Sequence, residues 1–190
     1  MEKQLHAVGF NLQPEKLEND LVRITPLKET DFERIFKVAS DPLIWEQHPE
    51  RERYKREIFQ LFFDASVKSN SAFLVYDRKT NELIGSTRYH DYEPANSRIS
   101  IGYTFLARKY WGGEYNKAMK KLLLDYAFQY VESVIFQIGS TNIRSQKATM
   151  KVGAHKINEK DFNLNGMKMV VYEYEIKKQD WAEAIGYTSL

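Results

Sequence analysis

The first part of the chain combines an apolar strand with two amphipathic helices. Residues 21–27 predict a strand, and the helix after it begins at residues 30–33, which have the form of a capping box. Apolar residues at helical spacing predict that this helix buries Phe32, Ile35, Phe36 and Ala39. A second helix over about residues 53–67 places on one face Tyr54, Ile58, Leu61, Phe62 and Ala65.

Strand patterns follow these helices. Residues 72–76 and 82–89 predict two strands joined by a hairpin turn at 79–82. The next strand alternates, and it should point to one face Ile99, Ile101, Tyr103 and Phe105, and to the other Ser100, Gly102 and Thr104. A glycine in the middle of a strand indicates a bulge or a close backbone approach, so we expect one of these at Gly102.

The strongest helical pattern runs from Tyr115 to Tyr130, and three lysines lie off its apolar stripe: Lys117, Lys120 and Lys121. A strand over 133–139, a short helix over 144–152 and a late strand over 168–176 complete the pattern. The predicted order is therefore ββαβαβ after two early helices, with a poorly packed arm before residue 20. This order is typical of an α/β fold.

Composition excludes several classes of protein. The chain has 190 residues, 43% of them hydrophobic and 28% charged, which is typical of one globular domain. It contains no cysteine, so thiolate catalysis and cysteine zinc sites are excluded, in agreement with a cytoplasmic location. A net charge of +2 argues against dedicated nucleic-acid binding, and no apolar run approaches the length of a membrane span.

Gly112 and Gly113 stand between the alternating strand and the long helix. Free amide groups and the positive end of a helix dipole would converge there, which favours a phosphate or pyrophosphate site. The same two glycines also suit an ordinary strand-to-helix turn, and the residues alone leave both interpretations open.

The chain from residue 21 to about 181 resembles the GNAT acetyltransferases, in particular the branch similar to ribosomal-protein N-terminal acetyltransferases. The matching segments are 21–27 with Asp31 and Phe32, 83–86, 101–103, 110–112, 142–145 and 151–154. The resemblance implies an α/β (α+β) GNAT fold with a central mixed, mostly antiparallel twisted sheet, helices on both faces and a splayed strand pair that receives coenzyme A. It further implies an N-terminal arm over 1–19, an acetyltransferase domain over 20–182 and a C-terminal tail over 183–190.

The resemblance also implies a site for acetyl-CoA. The family's pyrophosphate loop, Q/RxxGxG/A, falls on residues 109–114, where Glu114 replaces the final small residue. We expect its carboxylate to point to solvent while its amide faces the phosphates. The residues implied for coenzyme binding are Tyr103, Thr104, Phe105, Lys109, Trp111, Gly112, Gly113, Glu114, Tyr115, Asn116, Lys117, Asn142 and Ser145.

Catalysis is expected beside the pantetheine. The Ser145 hydroxyl would protonate the leaving thiolate, with Asn142 near the sulfur, although Ser145 also suits a helix N-cap and Asn142 a turn. The candidate general bases are His90, Glu93, Glu46 and His48, and the last three are also expected near the acceptor amine. The four histidines, His6, His48, His90 and His155, show no metal-ligand spacing, so no metal is expected.

The resulting prediction is an N-acetyltransferase that transfers acetyl from acetyl-CoA to a primary amine, either a small molecule or a peptide N-terminus, by direct attack in a ternary complex. The protein would be a monomer or a homodimer. Two other classes stay open. One is a GNAT-fold acyl-CoA sensor without turnover, and the other is a Rossmann-like nucleotide-binding module, which would need an early GxGxxG motif that the chain does not have.

Overall fold

The computed structural model describes residues 9–164 and 166–184, which form one sheet and the helices around it. The strands are β1 (Leu17–Glu18), β2 (Val22–Pro26), β3 (Ala72–Asp77), β4 (Leu83–Glu93), β5 (Arg98–Leu106), β6 (Ser133–Gly139), β7 (His155–Leu164) and β8 (Met167–Lys177). The α-helices are α1 (Phe32–Ala39), α2 (Arg56–Lys68), α3 (Tyr115–Ala127), α4 (Ile143–Met150) and α5 (Lys178–Ala184). Short 3₁₀ helices lie at Glu29–Asp31, Pro42–Ile44, Arg51–Tyr54, Pro94–Asn96 and Arg108–Tyr110.

All eight strands form a single sheet in the order β1-β2-β3-β4-β5-β6-β8-β7. Every neighbouring pair is antiparallel except β5 and β6, which are parallel. The expected mixed, mostly antiparallel sheet is confirmed. The same topology excludes the Rossmann-like alternative, because that fold has a mostly parallel sheet.

Helices cover both faces of the sheet and form two apolar cores. On one face α3 packs through Met119, Leu123 and Leu124, and on the other α1 and α2 pack through Ile35 and Phe59. The predicted stripe of α1 is confirmed, and that of the second helix is confirmed in part, because Tyr54 and Phe62 pack on this core. The fully buried positions of α2 are Phe59, Phe63 and Ser66, whereas Leu61 is 70% exposed. Apolar residues lie all around this helix, so periodicity alone did not identify its most buried positions.

Local details at several element ends also differ from the sequence expectations. The box predicted at residues 30–33 does not form, because the Lys28 amide donates to Asp31 Oδ2 at 3.0 Å and Glu33 pairs with Arg56. Strand β7 was not predicted, since its sequence is polar and it lies at the edge of the sheet beside β8. Helix α5 was not predicted either, although its Trp181 belongs to the α3 core and donates to Asp125 Oδ1 at 2.8 Å.

The segment before β2 is packed, which contradicts the expected loose arm for residues 9–19. Phe10 stacks on Tyr130 at 4.6 Å between ring centroids and also contacts Tyr89, Tyr92 and Tyr126. The Tyr126 hydroxyl donates to Asn11 O at 2.9 Å. Residues 1–8 of the expected arm and 185–190 of the expected tail lie outside the described residues.

A bulge in β5 changes the direction of its side chains. Ser86 faces Phe105 and Arg88 faces Gly102, so β5 carries one extra residue between these pairs, and Tyr103 has a φ of 52°. Ile101 therefore packs on the α3 core while Phe105 packs on the α1 and α2 core. The bulge expected near Gly102 is confirmed, but the prediction that Ile99, Ile101, Tyr103 and Phe105 share a face is wrong, because the extra residue reverses the alternation.

Candidate active site

Beyond the bulge, β5 and β6 separate and open a cleft. Their parallel pairing covers only Arg98 to Ser100 on β5, opposite Ser133 to Ile135 on β6. From Ile101 onward the β6 side of β5 has no partner strand within the described residues. The gap widens into a cavity of about 400 Å³, bordered by both strands, by α3 and α4, and by the loop that includes Trp45 and His48. Unpaired strand edges offer amide and carbonyl groups to a ligand.

The cleft brings together many of the residues expected at the site. Those that line it are His48, His90, Tyr103, Thr104, Phe105, Trp111, Gly112, Asn116, Asn142 and Ser145. Other expected residues lie outside its lining: Glu46, Glu93, Lys109, Gly113, Glu114, Tyr115 and Lys117.

The start of α3 presents free amide groups at one end of the cleft. The first hydrogen bond of the helix runs from Ala118 N to Glu114 O at 2.8 Å. Within the described residues the amides from Gly112 to Lys117 donate to no backbone or side-chain acceptor. Gly112 has a φ of 74°, a conformation that other residues rarely adopt. Free amides at the positive end of a helix are suited to an anion.

Charged residues around this helix start face away from it or toward solvent. Glu114 is exposed and lies 3.9 Å from Lys117 Nζ, so its side chain leaves the amides accessible. Lys109 donates to Glu82 Oε2 at 2.7 Å. Asp77 accepts from the Thr80 hydroxyl at 2.7 Å and from the Lys79 amide at 3.0 Å, and the Thr80 hydrogen bond is the main cause that lowers its pKa. The amides themselves are thus the groups here that could hold a phosphate.

Of the carboxylates expected near an acceptor, both are engaged elsewhere. Glu46 Oε1 lies 3.3 Å from Arg144 Nη1. Glu93 accepts from Arg98 and Asn96, and the Arg98 hydrogen bond lowers its pKa. Neither residue lines the cleft.

His90 lies at the bulge with one ring nitrogen oriented by a carboxylate. Its Nδ1 is 2.9 Å from Asp91 Oδ2, so the proton lies on Nδ1 and the lone pair on Nε2. A Cβ built on Gly102 would be 2.6 Å from that Nε2, which shows that the absence of a side chain there makes room for the imidazole. Burial lowers the pKa of His90, an effect that Asp91 partly opposes, and this favours the neutral ring.

His48 is also buried, but its lone pair is occupied. Its Nδ1 accepts from the Glu50 amide at 2.9 Å, so in the neutral ring Nε2 carries the proton. The 3.2 Å contact between His48 Nε2 and Arg53 Nη1 is then a contact between two donors, and it is not a hydrogen bond in this tautomer. Burial lowers the pKa of His48 to about 3, which leaves it a weak base.

Helix α4 begins at the far wall of the cleft, and its first residues show which of Asn142 and Ser145 is the helix N-cap. Asn142 is the N-cap, because its Oδ1 accepts from Ser145 N at 3.1 Å. Ser145 lies one turn inside the helix, so the alternative of a Ser145 cap is wrong. Within the described residues its hydroxyl makes no hydrogen bond, and it lines the cleft.

Sequence reasoning missed a buried lysine in the cleft wall. Lys120, off the apolar stripe of α3, is only 4% exposed and follows Gly112 and Asn116 along the cleft side of the helix. Its Nζ donates to Thr149 Oγ1 at 2.7 Å and lies 4.9 Å from the centre of the Phe136 ring. Burial alone lowers the pKa of Lys120 to about 7. Only the i, i+4 spacing from Asn116 could have indicated its position.

Three arginines near the cleft were missed as well. Arg144 stacks on Trp111 at 3.8 Å from the ring centre and donates to Ile44 O at 3.0 Å, so it connects α4 to the opposite loop. Arg53 and Arg88 are buried near Tyr103. The position of Arg88 within the otherwise uncharged segment 83–89 could have indicated that it is buried. Arg53 stood in a predicted helix, where its sequence position did not distinguish it from an exposed arginine.

Residues 9–164 and 166–184 contain neither a candidate metal site nor a candidate membrane span. No three histidine or acidic side chains in this part of the chain are grouped so that they could hold a metal ion. None of its helices combines the length and the apolar character needed to cross a bilayer.

The same arrangement of sheet and helices occurs in solved structures of acetyltransferases, which supports the fold. The family model described as "Acetyltransferase (GNAT) domain" matches residues 22–155, and the chain therefore belongs to the GNAT acetyltransferase family. Members of this family use acetyl-CoA.

Three similar proteins illustrate the relationship. A GCN5-related N-acetyltransferase from Brucella melitensis superposes with a TM-score of 0.78 at 18% identity, over 89% of this chain and 83% of that one. Spermidine N-acetyltransferase from Vibrio cholerae, in complex with CoA and spermine, superposes with a TM-score of 0.67 at 15% identity, over 86% and 99% of the two chains. At these identities the structures support the fold alone.

The third is the uncharacterized N-acetyltransferase p20 of Bacillus licheniformis, which is 30% identical over 74 residues. This match covers 38% of the present chain and 41% of that protein, so the chain spans less than half of this relative's length.

Proposed function

We propose that the protein is an acetyl-CoA-dependent N-acetyltransferase whose acceptor is a primary amine of a small molecule or of a peptide N-terminus. The observation that carries this proposal is the separation of β5 from β6 beside the free amides at the start of α3. This arrangement joins an anion site to a strand edge that is open along the same cleft.

The residues present suit the coenzyme. The amides from Gly112 to Lys117 are placed to bind the pyrophosphate, and the open edge of β5 from Ile101 is suited to the amide groups of pantetheine. Asn116, on the cleft side of α3, adds a side-chain donor near the phosphates. When bound, acetyl-CoA supplies an activated thioester for transfer.

His90 is the side chain best placed to accept the proton of the amine. Asp91 holds Nδ1–H, and the Nε2 lone pair lies over Gly102 at the cleft. As a neutral amine attacks the thioester carbon and the carbon–sulfur bond breaks, the amine proton passes to Nε2. His48 is a poorer candidate, because its only lone pair already accepts from the Glu50 amide.

Ser145 is the proposed proton donor to the departing thiolate. Its hydroxyl is free of other hydrogen bonds in the described part of the chain, and it lies on the wall of the cleft opposite β5. A thiolate leaves well without a proton, so the contribution of Ser145 should be at the low end of general acid catalysis, about 10-fold to 100-fold.

The proposed function is tested by acetyl-CoA-dependent thiol release with a panel of amines and N-terminal peptides. Wild-type protein should release thiol with at least one acceptor, and His90→Gln should lower kcat about 100-fold or more while coenzyme affinity stays unchanged. Because burial lowers the pKa of His90, wild-type kcat/KM expressed per neutral amine should fall only when the pH drops below the usual histidine range, and His90→Gln should lose this dependence.

A matched control is His155→Gln, since His155 is exposed on β7 and outside the cleft lining. Its kcat should equal that of the wild type. Coenzyme binding without thiol release from any acceptor would contradict the proposal and would favour the acyl-CoA sensor.

A further inference from the structure

Two buried guanidinium groups lie beside the β5 bulge. Arg53 is 7% exposed and Arg88 is 8% exposed, and each has a buried Nε without a hydrogen-bond partner. Arg88 stacks on the Tyr103 ring, with Cζ 3.5 Å from the ring centre, and Tyr103 and Arg53 both line the cleft. Within the described residues the side chain of Arg88 makes no hydrogen bond and no ion pair.

The carboxylates named in this region are engaged with side chains other than Arg88. Arg53 pairs with Glu50, and Asp91 is bonded to His90, so Arg88 has no counter-ion of its own in residues 9–164 and 166–184. No aspartate or glutamate in this part of the chain lines the cleft. An unpaired buried charge is costly, and a ligand that supplies an anion would remove this cost.

The unpaired guanidinium is also close to the proposed base. Arg88 faces Gly102 across the β4–β5 ladder, and the His90 ring covers the same glycine. The His90 and Tyr103 ring centres are 5.0 Å apart. An acceptor whose amine reaches His90 Nε2 therefore has its neighbouring group next to Tyr103, on whose ring Arg88 stacks.

We infer that the acceptor is a small amine that carries a carboxylate, and that Arg88, assisted by Arg53, binds this carboxylate. The inference rests on the proposed function and names its acceptor class. A guanidinium matches a planar carboxylate with two parallel hydrogen bonds, which a single carbonyl oxygen cannot accept equally well. A polyamine would instead bring further positive charge to a cleft in which the described residues provide no carboxylate.

The inference is tested with matched acceptor pairs that differ only in charge: alanine with alaninamide, and phenylalanine with phenylalaninamide. Rates of acetyl-CoA-dependent thiol release are expressed per neutral amine, because the amino groups of acid and amide have different pKa values. We expect kcat/KM to be about 10-fold to 100-fold higher for the acid of the preferred pair, as for a charge-assisted hydrogen bond. Calorimetry of the corresponding N-acetyl acids and N-acetyl amides, with coenzyme A present, should give the same order of affinity.

Arg88→Met should bring the acid-to-amide ratio close to one and leave coenzyme affinity unchanged. A purely structural role of Arg88 would lower both rates and leave their ratio unaltered. The matched control is Arg23→Met, since Arg23 also lies over a tyrosine, with Cζ 4.8 Å from the centre of the Tyr76 ring, and also has an unpaired Nε. It stands on β2, separated from β5 by two strands, and its ratio should equal that of the wild type.

Equal rates for acid and amide, a preference for the amide or for an N-terminal peptide, or no binding of any acid would overturn the inference. In each of these cases the proposed function would stand as long as the protein binds coenzyme A and acetylates some amine. Failure to bind coenzyme A would contradict the proposed function itself.

Discussion

The buried amine of Lys120 makes a quantitative prediction about stability and pH. Burial shifts the pKa of this lysine from 10.5 to about 7, and its amine donates to Thr149 Oγ1. In the unfolded chain the amine keeps its proton to its ordinary pKa, whereas in the folded protein it loses the proton above about pH 7. Unfolding therefore takes up a proton between these values, so the Lys120 contribution to the free energy of unfolding rises with pH in this window.

The size of the effect follows from linkage. One proton exchanged on unfolding changes the free energy of unfolding by about 1.4 kcal/mol for each pH unit. Between about pH 7 and about pH 9 the wild type should thus gain up to roughly 3 kcal/mol relative to Lys120→Met, which cannot titrate. Below about pH 7 both the folded and unfolded states hold the proton, and the difference between the two proteins should stop changing.

Urea denaturation, followed by the fluorescence of the three tryptophans, measures this difference at a series of pH values. The control is Lys121→Met, because Lys121 is partly exposed on the same helix and pairs with Asp125 at 2.6 Å. This control should follow the pH dependence of the wild type. If Lys120→Met also follows the wild type from about pH 7 to about pH 9, Lys120 stays protonated in the folded protein and the reasoning is wrong.

Three further predictions concern the N-cap of α4, the N-terminal segment and the start of α3. Asn142→Ala should lower the free energy of unfolding, measured by urea denaturation, by about 1 kcal/mol through loss of the cap. Ser145→Ala should leave that free energy nearly unchanged and lower kcat, measured from initial rates, about 10-fold to 100-fold. A destabilised Ser145→Ala with normal kcat, together with an Asn142→Ala of unchanged stability, would contradict this prediction. Phe10→Ala should cost about 2 kcal/mol, because its partly buried ring contacts four tyrosines, and an unchanged denaturation midpoint would show that the segment does not pack. Glu114→Ala should bind coenzyme A equally or more tightly in calorimetry, since the carboxylate is exposed near an anion site, and a 10-fold loss of affinity would indicate a direct role for it.

Much of the fold was predictable because its signals are local. The periodicity of α3 and the turn between β3 and β4 depend on neighbouring residues, and both expectations are confirmed. The reversal of β5 was not predictable in the same way. Nothing in the residue type of Tyr103 indicates a φ of 52°, so the alternation assigned Phe105 to the wrong face.

The residues of the candidate site also differ in whether local sequence predicts them. Gly112 and Asn142 stand in short motifs, and the structure brings both to the cleft. Lys120, Arg53 and Arg88 have residue types that are usually exposed, and their burial depends on elements distant in sequence. Only the assembled sheet reveals that Lys120 and Arg53 line one cavity and that Arg88 lies beside it on the Tyr103 ring.

Binding of the coenzyme in the cleft beside α3 can be measured by calorimetric titration of Gly113→Val with acetyl-CoA. A Cβ at Gly113 meets no protein atom within 4 Å, so the substitution should preserve the fold while it obstructs the approach of a phosphate to the amides. Gly9→Val is the matched control, because a Cβ there also meets nothing within 4 Å. We expect wild type and Gly9→Val to bind acetyl-CoA alike, and Gly113→Val to bind it at least about 10-fold more weakly with an unchanged melting temperature. Equal affinity in all three proteins, or no binding by the wild type, would show that the coenzyme does not bind at the start of α3.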